Sequence, residues 1–351
     1  MSILRTMGIS LLSLLPHPVL SGNPEWYVQL ERYPDVLWHI AAVNRNVCWV
    51  LGVHGTILRT INGGTTWAPV QDARIAKLTP TALAAFGAEV AIAAVSTYDP
   101  WSARSFTVGD TSWILRTSDG GRSWHEVFCQ PGGLFNGIHR LGTNGAVALG
   151  NPIRARWIIL ISSNVGESWN PVSDVPAQTA SEAGSLGSSA VRGDRWIWFG
   201  ALDASSTRAT STVYHSTDGG YHWTHALLPF PNPHTLDFRD SLVGIVSTTQ
   251  RQIARTTDGG TSWSTVLLPD DEASGDVAVS PDGQLWLTQH RSILSSSDAG
   301  QTWLRAWKGH PSQKVVMKFD LVQERDSLFG WATTWTGGII RFEGRAKSST
   351  H

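Results

Sequence analysis

TSDGGRSW, residues 117–124, returns five more times along this chain in variant form. The other copies are TINGGTTW at 60–67, SSNVGESW at 162–169, STDGGYHW at 216–223, TTDGGTSW at 256–263 and SSDAGQTW at 296–303. They share the template Ser/Thr-x-Asp/Asn-x-Gly-x-Ser/Thr-Trp. The steps from Trp to Trp are 57, 45, 54, 40 and 40 residues, close to the length of one four-stranded propeller blade. An apolar stretch such as TILRT, WILRT, VYHS or QIART precedes each copy, and a short strand such as APV or HEV follows. Each copy is therefore expected to be the hairpin turn between the third and outer strands of a blade.

The residue types explain the turn. An Asp or Asn side chain accepts hydrogen bonds from backbone N–H groups just downstream and folds the chain around itself. Glycine supplies the positive φ that follows. The Ser/Thr hydroxyl and the Trp lock the corner, with the indole flat over the hairpin and its N–H directed to a partner. Asn62 and Asn164 keep an acceptor where Asp119, Asp218, Asp258 and Asp298 carry an acid. A structural role tolerates that exchange and a catalytic carboxylate does not. Six such positions in successive blades are also too dispersed to build one active site. These residues, with Trp67, Trp124, Trp169, Trp223, Trp263 and Trp303, form the Asp-box (BNR repeat) pattern found in β-propellers.

Strand-rich signals dominate the 351 residues, with 34 Gly and 18 Trp, and no long segment of helical period follows residue 20. A repeat of this period counts as one domain. The six boxes mark blades one to six. VVMKFDL, LFGWATTW and GIIRFEG then supply three strands of a seventh, without a box or a fourth strand. PEWYVQLE at 24–31 resembles a strand that follows a box, with Trp26 where a box Trp stands. The expected fold is therefore all-β, a seven-bladed β-propeller closed by the N-terminal strand completing the C-terminal blade. That closure hides both sheet edges. Residues 23–343 make the propeller and 344–351 a disordered tail.

Residues 1–22 carry Arg5, the apolar run MGISLLSLL, and Val19 and Ser21 ahead of Gly22. This is the pattern of a secretory signal peptide, too short for a stable membrane span, and it implies a periplasmic or extracellular protein. Lys+Arg of 27 against Asp+Glu of 28 leaves no field for nucleic acid. Only five of the cations are Lys, so arginine, suited to planar bidentate contacts, carries the positive charge. Cys48 and Cys129 fall in different blades and are expected as buried free thiols. No metal spacing, phosphate loop or nucleophile elbow occurs, so no metal or cofactor is expected.

Boxes lie on one face of the ring, and the loops between second and third strands lie on the other, here called the top face. Most of those loops are short. Longer ones are expected at 96–112, 151–156 and 201–212, with a long connection at 173–183, all within blades two to four. They bring together Tyr98, Asp99, Trp101, Arg104, Asn151, Arg154, Arg156, Glu182, Asp203 and Arg208 as candidates for binding a protein client, or a glycan. An alternative function uses carboxylates of the same wall, Asp99, Asp110, Glu182 or Asp203, as a carbohydrate-active enzyme. Arg59, Arg116, Arg255 and Arg341 share one repeat position and are expected to make a common interblade contact.

Beyond these features, the chain resembles the photosystem II assembly and stability factor family, and more closely its relatives outside photosynthesis. The resemblance runs from Trp26 to Phe342. It is carried most by GAVALGNPIRARWIILISSNVGESW in blade three, then GSLGSSAV, RWIWFG and TSTVYHSTDGGYHW in the same order. It implies a non-catalytic scaffold that holds a protein or membrane-protein client through an arginine-rich surface. Two departures bear on that surface: the acid of the family's Gly-Asp-Pro loop is Asn151 here, and the Gly-Glu-Gly-Ala segment before blade four reads SEAGSLGSS.

Overall fold

The structure, a computed structural model, describes residues 25–70, 72, 74–98, 110–179, 182–203, 210–248, 252–268, 274–289, 292–308 and 316–346. These residues form seven four-stranded antiparallel sheets arranged as the blades of a ring. Blade one holds β2 (Leu37–Ala42), β3 (Cys48–Gly52), β4 (Ile57–Thr60) and β5 (Ala68–Val70). Blade two holds β6 (Thr79–Ala85), β7 (Ala91–Ser96), β8 (Thr111–Thr117) and β9 (His125–Pro131). Blade three runs β10 (Phe135–Leu141), β11 (Gly145–Ile153), β12 (Arg156–Ser162) and β13 (Asn170–Pro171). Blade four follows with β14 (Glu182–Arg192), β15 (Trp196–Asp203), β16 (Ser211–Ser216) and β17 (Thr224–Leu228). Blade five is β18 (Pro233–Phe238), β19 (Gly244–Thr248), β20 (Gln252–Thr256) and β21 (Ser264–Leu267). Blade six is β22 (Ser274–Val279), β23 (Leu285–Gln289), β24 (Ser292–Ser296) and β25 (Leu304–Lys308).

Blade seven combines β26 (Val316–Glu324), β27 (Ser327–Thr334) and β28 (Ile339–Arg345) with β1 (Glu25–Leu30), which pairs antiparallel to β28. The N-terminal strand thus supplies the outer strand of the last blade. Trp26 packs its ring 4.9 Å from Phe342 and 6.2 Å from Trp286. β28 continues through Arg345, two residues past the boundary read from the sequence.

The core lies between blades. Trp49, Leu51 and Ile57 of blade one pack with Ala91, Ala93, Val95 and Leu115 of blade two. Leu37, Val50 and Leu58 of blade one pack on their other side with Trp331 and Ile339 of blade seven. A sheet sandwiched between two others buries both faces, so its central strands carry runs of buried residues rather than an alternation of buried and exposed ones. CWVLG of β3 is an example, buried throughout.

All six corners use one hydrogen-bond pattern, and its hub is the first residue. The buried hydroxyl of Thr60, Thr117, Ser162, Ser216, Thr256 or Ser296 accepts the N–H of the glycine four residues on, at 2.8–3.0 Å. The same hydroxyl donates to the Asp or Asn Oδ1 at 2.7–3.0 Å. That Oδ1 in turn accepts the N–H of the residue before the Trp, as Ser123 N–H does to Asp119 at 3.0 Å. Bonds from the Ser123 hydroxyl and N–H hold the Asp119 carboxyl well below the usual range, and Thr302 does the same for Asp298.

The fifth residue must be glycine. At Gly121, φ is 87° and an added Cβ would lie 2.7 Å from Val70 Cγ1 of the neighbouring blade. The fourth position tolerates a side chain in the left-handed region, as Val165 (φ 56°) and Ala299 (φ 57°) show. The indole N–H finds a partner in two corners, Trp223 to Gly220 O at 2.8 Å and Trp263 to Gly260 O at 3.1 Å. In Trp67, Trp124, Trp169 and Trp303 it is buried without one, so in those corners the indole is held by packing.

Three of the four recurring arginines hydrogen-bond to the next blade, whereas Arg255 Nε is buried without a partner among the described residues. Arg59 Nη1 donates to Ala88 O at 2.5 Å, Arg116 Nε to Val165 O at 2.9 Å, and Arg341 Nη1 to Gly63 O at 2.8 Å. Cys48 is buried and free, whereas Cys129, also free, is exposed on outer strand β9 rather than buried.

Candidate functional site

The wall of blades two to four is less loop-like than the sequence indicates. Residues 151–156 are a tight hairpin. β11 runs to Ile153, which pairs with Arg156, and Arg154 and Ala155 turn the chain at φ 52° and 62°. Two left-handed residues are what a type I′ hairpin needs, here without the usual Asn-Gly. Arg154 and Arg156 are exposed on it, and Arg156 Nη2 donates to Ser173 O at 2.9 Å.

Strand extension also takes the carboxylates inward. Glu182 opens β14 and Asp203 closes β15, opposite one another in the ladder and 5% and 4% exposed. Glu182 accepts hydrogen bonds from the hydroxyls of Thr179, Thr212 and Tyr214, each at 2.6 Å, and from Thr179 N–H at 3.1 Å. Burial foremost, and the bond to Glu182 next, push the Tyr214 phenol up to about 12. That environment keeps the phenol protonated as a donor, the opposite of what activates a nucleophile. Asp110 is buried beside Thr97 Oγ1 at 3.3 Å. Tyr98 is partly buried, its N–H on Ser96 Oγ at 3.1 Å. Asn151 Oδ1 accepts both Gly184 N–H (2.8 Å) and Asn136 Nδ2 (2.7 Å), bridging blades three and four. Asp99, Trp101, Arg104 and Arg208 lie outside the described residues.

The structure adds a feature that the sequence reading missed. The inner strands β2, β6, β10, β14, β18, β22 and β26 line a central channel of ≈ 350 Å³. Charged groups of these inner strands stitch consecutive blades. Asp237 accepts Val279 N–H at 2.7 Å, Asp276 accepts Phe319 N–H at 3.0 Å, and Asp320 accepts Ala42 N–H at 2.9 Å. Arg192 pairs with Asp237 at 2.8 Å and Lys318 with Asp276 at 2.9 Å. Burial pushes the Asp320 carboxyl up to about 7 against its two backbone N–H bonds. Burial, then the nearby Lys318, lowers His39 to about 3 and His139 to about 4, so both imidazoles are neutral. Polar residues interleaved with apolar ones in the inner strands, as in PHTLDF or VMKFDLVQE, were the available signal.

Among the described residues no group of three or more His, Cys, Asp or Glu is placed to hold a metal, and no helix is long and apolar enough to cross a membrane. No protein-family model and no curated protein sequence matches the chain. Among solved structures it is similar to YCF48 bound to D1 peptide, at 19% identity and a TM-score of 0.65, covering 93% of this chain and 98% of that one. It is also similar to YCF48 from Cyanidioschyzon merolae, at 17% identity and a TM-score of 0.59, covering 90% and 98%. A GH74 xyloglucanase from Xanthomonas campestris is 14% identical at a TM-score of 0.52, the match spanning 88% of this chain and 52% of that one. At these identities the likeness is one of fold.

Proposed function

We propose that this chain is an Asp-box propeller acting outside the cytoplasm as a non-catalytic binding or assembly scaffold for a protein client. The top-face wall of blades two to four is its recognition surface. The observation that carries this reading is the division of that wall. Its described arginines, Arg154 and Arg156, face solvent on a rigid hairpin, while its described carboxylates are buried among hydrogen-bond partners. Such a surface suits an acidic or carboxylate-ended protein segment. The likeness in fold to a YCF48 seen with a peptide supports it. Arg104 and Arg208 join the surface on the sequence reading alone.

A glycosidase on the same wall requires two carboxylates facing one substrate pocket, about 5–10 Å apart. The burial of Glu182, Asp203 and Asp110 is unfavourable to that arrangement. The test is a pull-down from the native envelope fraction with the intact protein and with an R104A/R154A/R156A/R208A variant. Loss of a discrete protein partner in a variant of unchanged Tm is expected. The same partners captured by both would remove this surface from the proposal.

A further inference from the structure

The seam between blades three and four holds a void of ≈ 10 Å³, lined by Asn136, Gly150, Ile158, Gly184, Ser188 and Gly200 among others. That is room for about one water molecule. Two polar side-chain atoms of its lining, Asn136 Oδ1 and Ser188 Oγ, are buried without a protein partner. Both residues are more than nine-tenths buried, at 7% and 1% exposure. The amide orientation is determined by its surroundings. Asn151 Oδ1 accepts Gly184 N–H, so the Asn136 atom bonded to that oxygen must be its Nδ2 donor. Asn136 Oδ1 is left as an acceptor.

Glycines keep the space open. A Cβ on Gly184 would lie 2.2 Å from Asn136 Nδ2, and one on Gly200 would lie 2.4 Å from Ser188 Oγ. The β14–β15 register also slips between Gly184 and Ser189, which bows this part of β14. Native interiors pair nearly all buried polar side-chain atoms, with ordered water where protein cannot reach. We infer that this void is a built site for one structural water, which donates to Asn136 Oδ1 and bonds Ser188 Oγ. It cross-links blade three to blade four just inside the hairpin that carries Arg154 and Arg156, since the paired residues Gly150 and Ile158 line it.

A high-resolution crystal structure of the full chain tests this. The expected result is one density peak within roughly 2.7–3.2 Å of both atoms. A Ser188→Ala variant is expected to lose or weaken that peak and to melt at lower temperature. A direct Asn136–Ser188 hydrogen bond, or a void without density in the wild-type crystal, would overturn the inference. So would a Ser188→Ala variant with the same peak and the same Tm. The wild-type density decides the question even where the variant fails to fold.

Discussion

Asp320 and Ala42 stand 278 residues apart in the chain, and the Asp320 carboxylate accepts the Ala42 backbone N–H at 2.9 Å. The last blade is thereby joined to the first at the wall of the central channel. The ring is closed twice, because β1 also pairs with β28 at the outer rim. An inner closure by side chain and an outer one by strand act on the same blade from opposite edges. Neither is replaced by the apolar contacts between them, because backbone N–H groups left unpaired in a packed seam are destabilising.

Asp320→Ala removes the acceptor of both Ala42 N–H and Leu321 N–H. The expected loss is about 1–3 kcal/mol of unfolding free energy, measured by urea denaturation. The pH dependence has a definite sign. The folded pKa of about 7 lies above an ordinary Asp value of about 3.9. The folded state therefore holds this proton more tightly, and the stabilisation that follows is full below pH about 4 and lost as pH rises through about 7. Asp320→Asn carries no such proton, so its Tm relative to wild type should rise between pH 4 and pH 8. A constant difference would show that the carboxyl is not perturbed.

Thr117→Val tests the hub of a corner. The shape is nearly preserved, but the fully buried acceptor of Gly121 N–H (2.9 Å) and the donor to Asp119 Oδ1 (2.9 Å) both disappear. An unpaired buried N–H costs about 1–3 kcal/mol. Urea denaturation should show a loss in that range, and a neutral result would shift the weight of the corner to its acid and its indole.

These corners were legible because eight consecutive residues contain nearly all of their chemistry, and so the blade count, blade order and closure followed. The central channel was not legible. Thr235 Oγ1 takes Val277 N–H, Asp237 takes Val279 N–H and Asp276 takes Phe319 N–H, so the bonds sit at different levels of successive strands. The donor lies 42 or 43 residues on in each case, but the acceptor is Thr in one bond and Asp in two, so no residue pattern marks them. Glu182 and Asp203 looked like loop residues beside small polar neighbours. What places Glu182 in a strand is the demand of Thr212 and Tyr214, thirty and more residues away. The turn at Arg154 and Ala155 lacks the glycine or asparagine by which such hairpins are recognised.

Asn151 is where the chain departs from the acid of its resemblance, and the geometry predicts how much that matters. Among the described residues its Oδ1 alone is engaged, by Gly184 N–H and Asn136 Nδ2. Asn151→Asp keeps that acceptor and should leave the Tm nearly unchanged near pH 7. Asn151→Ala strands two donors and should cost about 1–3 kcal/mol. Equal losses in both variants, by denaturant titration, would mean that the amide nitrogen matters as much as the oxygen.

His222 stands in blade four where the other corners place Ser or Thr, and its imidazole Nδ1 meets Asp218 Oδ2 at 2.5 Å. Burial raises the Asp218 carboxyl, but the His222 N–H and imidazole outweigh it and take it down to about 2. The hydrogen bond that His222 donates to Asp218, then the charge of that carboxylate, raises His222. The signs oppose one another. The His222 contribution is full below its ordinary value of about 6.5 and lost as pH rises through the elevated folded value. The Asp218 contribution is present above about 3.9 and lost as pH falls through about 2. This corner is therefore tightest between those limits, whereas the hydroxyls of Ser123, Ser262 and Thr302 do not titrate in this range. The pair is exposed, so salt should weaken it. His222→Ser should flatten the alkaline side of the Tm–pH curve. The gap from wild type should be greatest near pH 6 in low salt and should narrow by pH 9 or in high salt. A gap independent of both pH and salt would mean that the imidazole serves this corner as a neutral hydrogen-bond partner, in the same way as the hydroxyl it replaces.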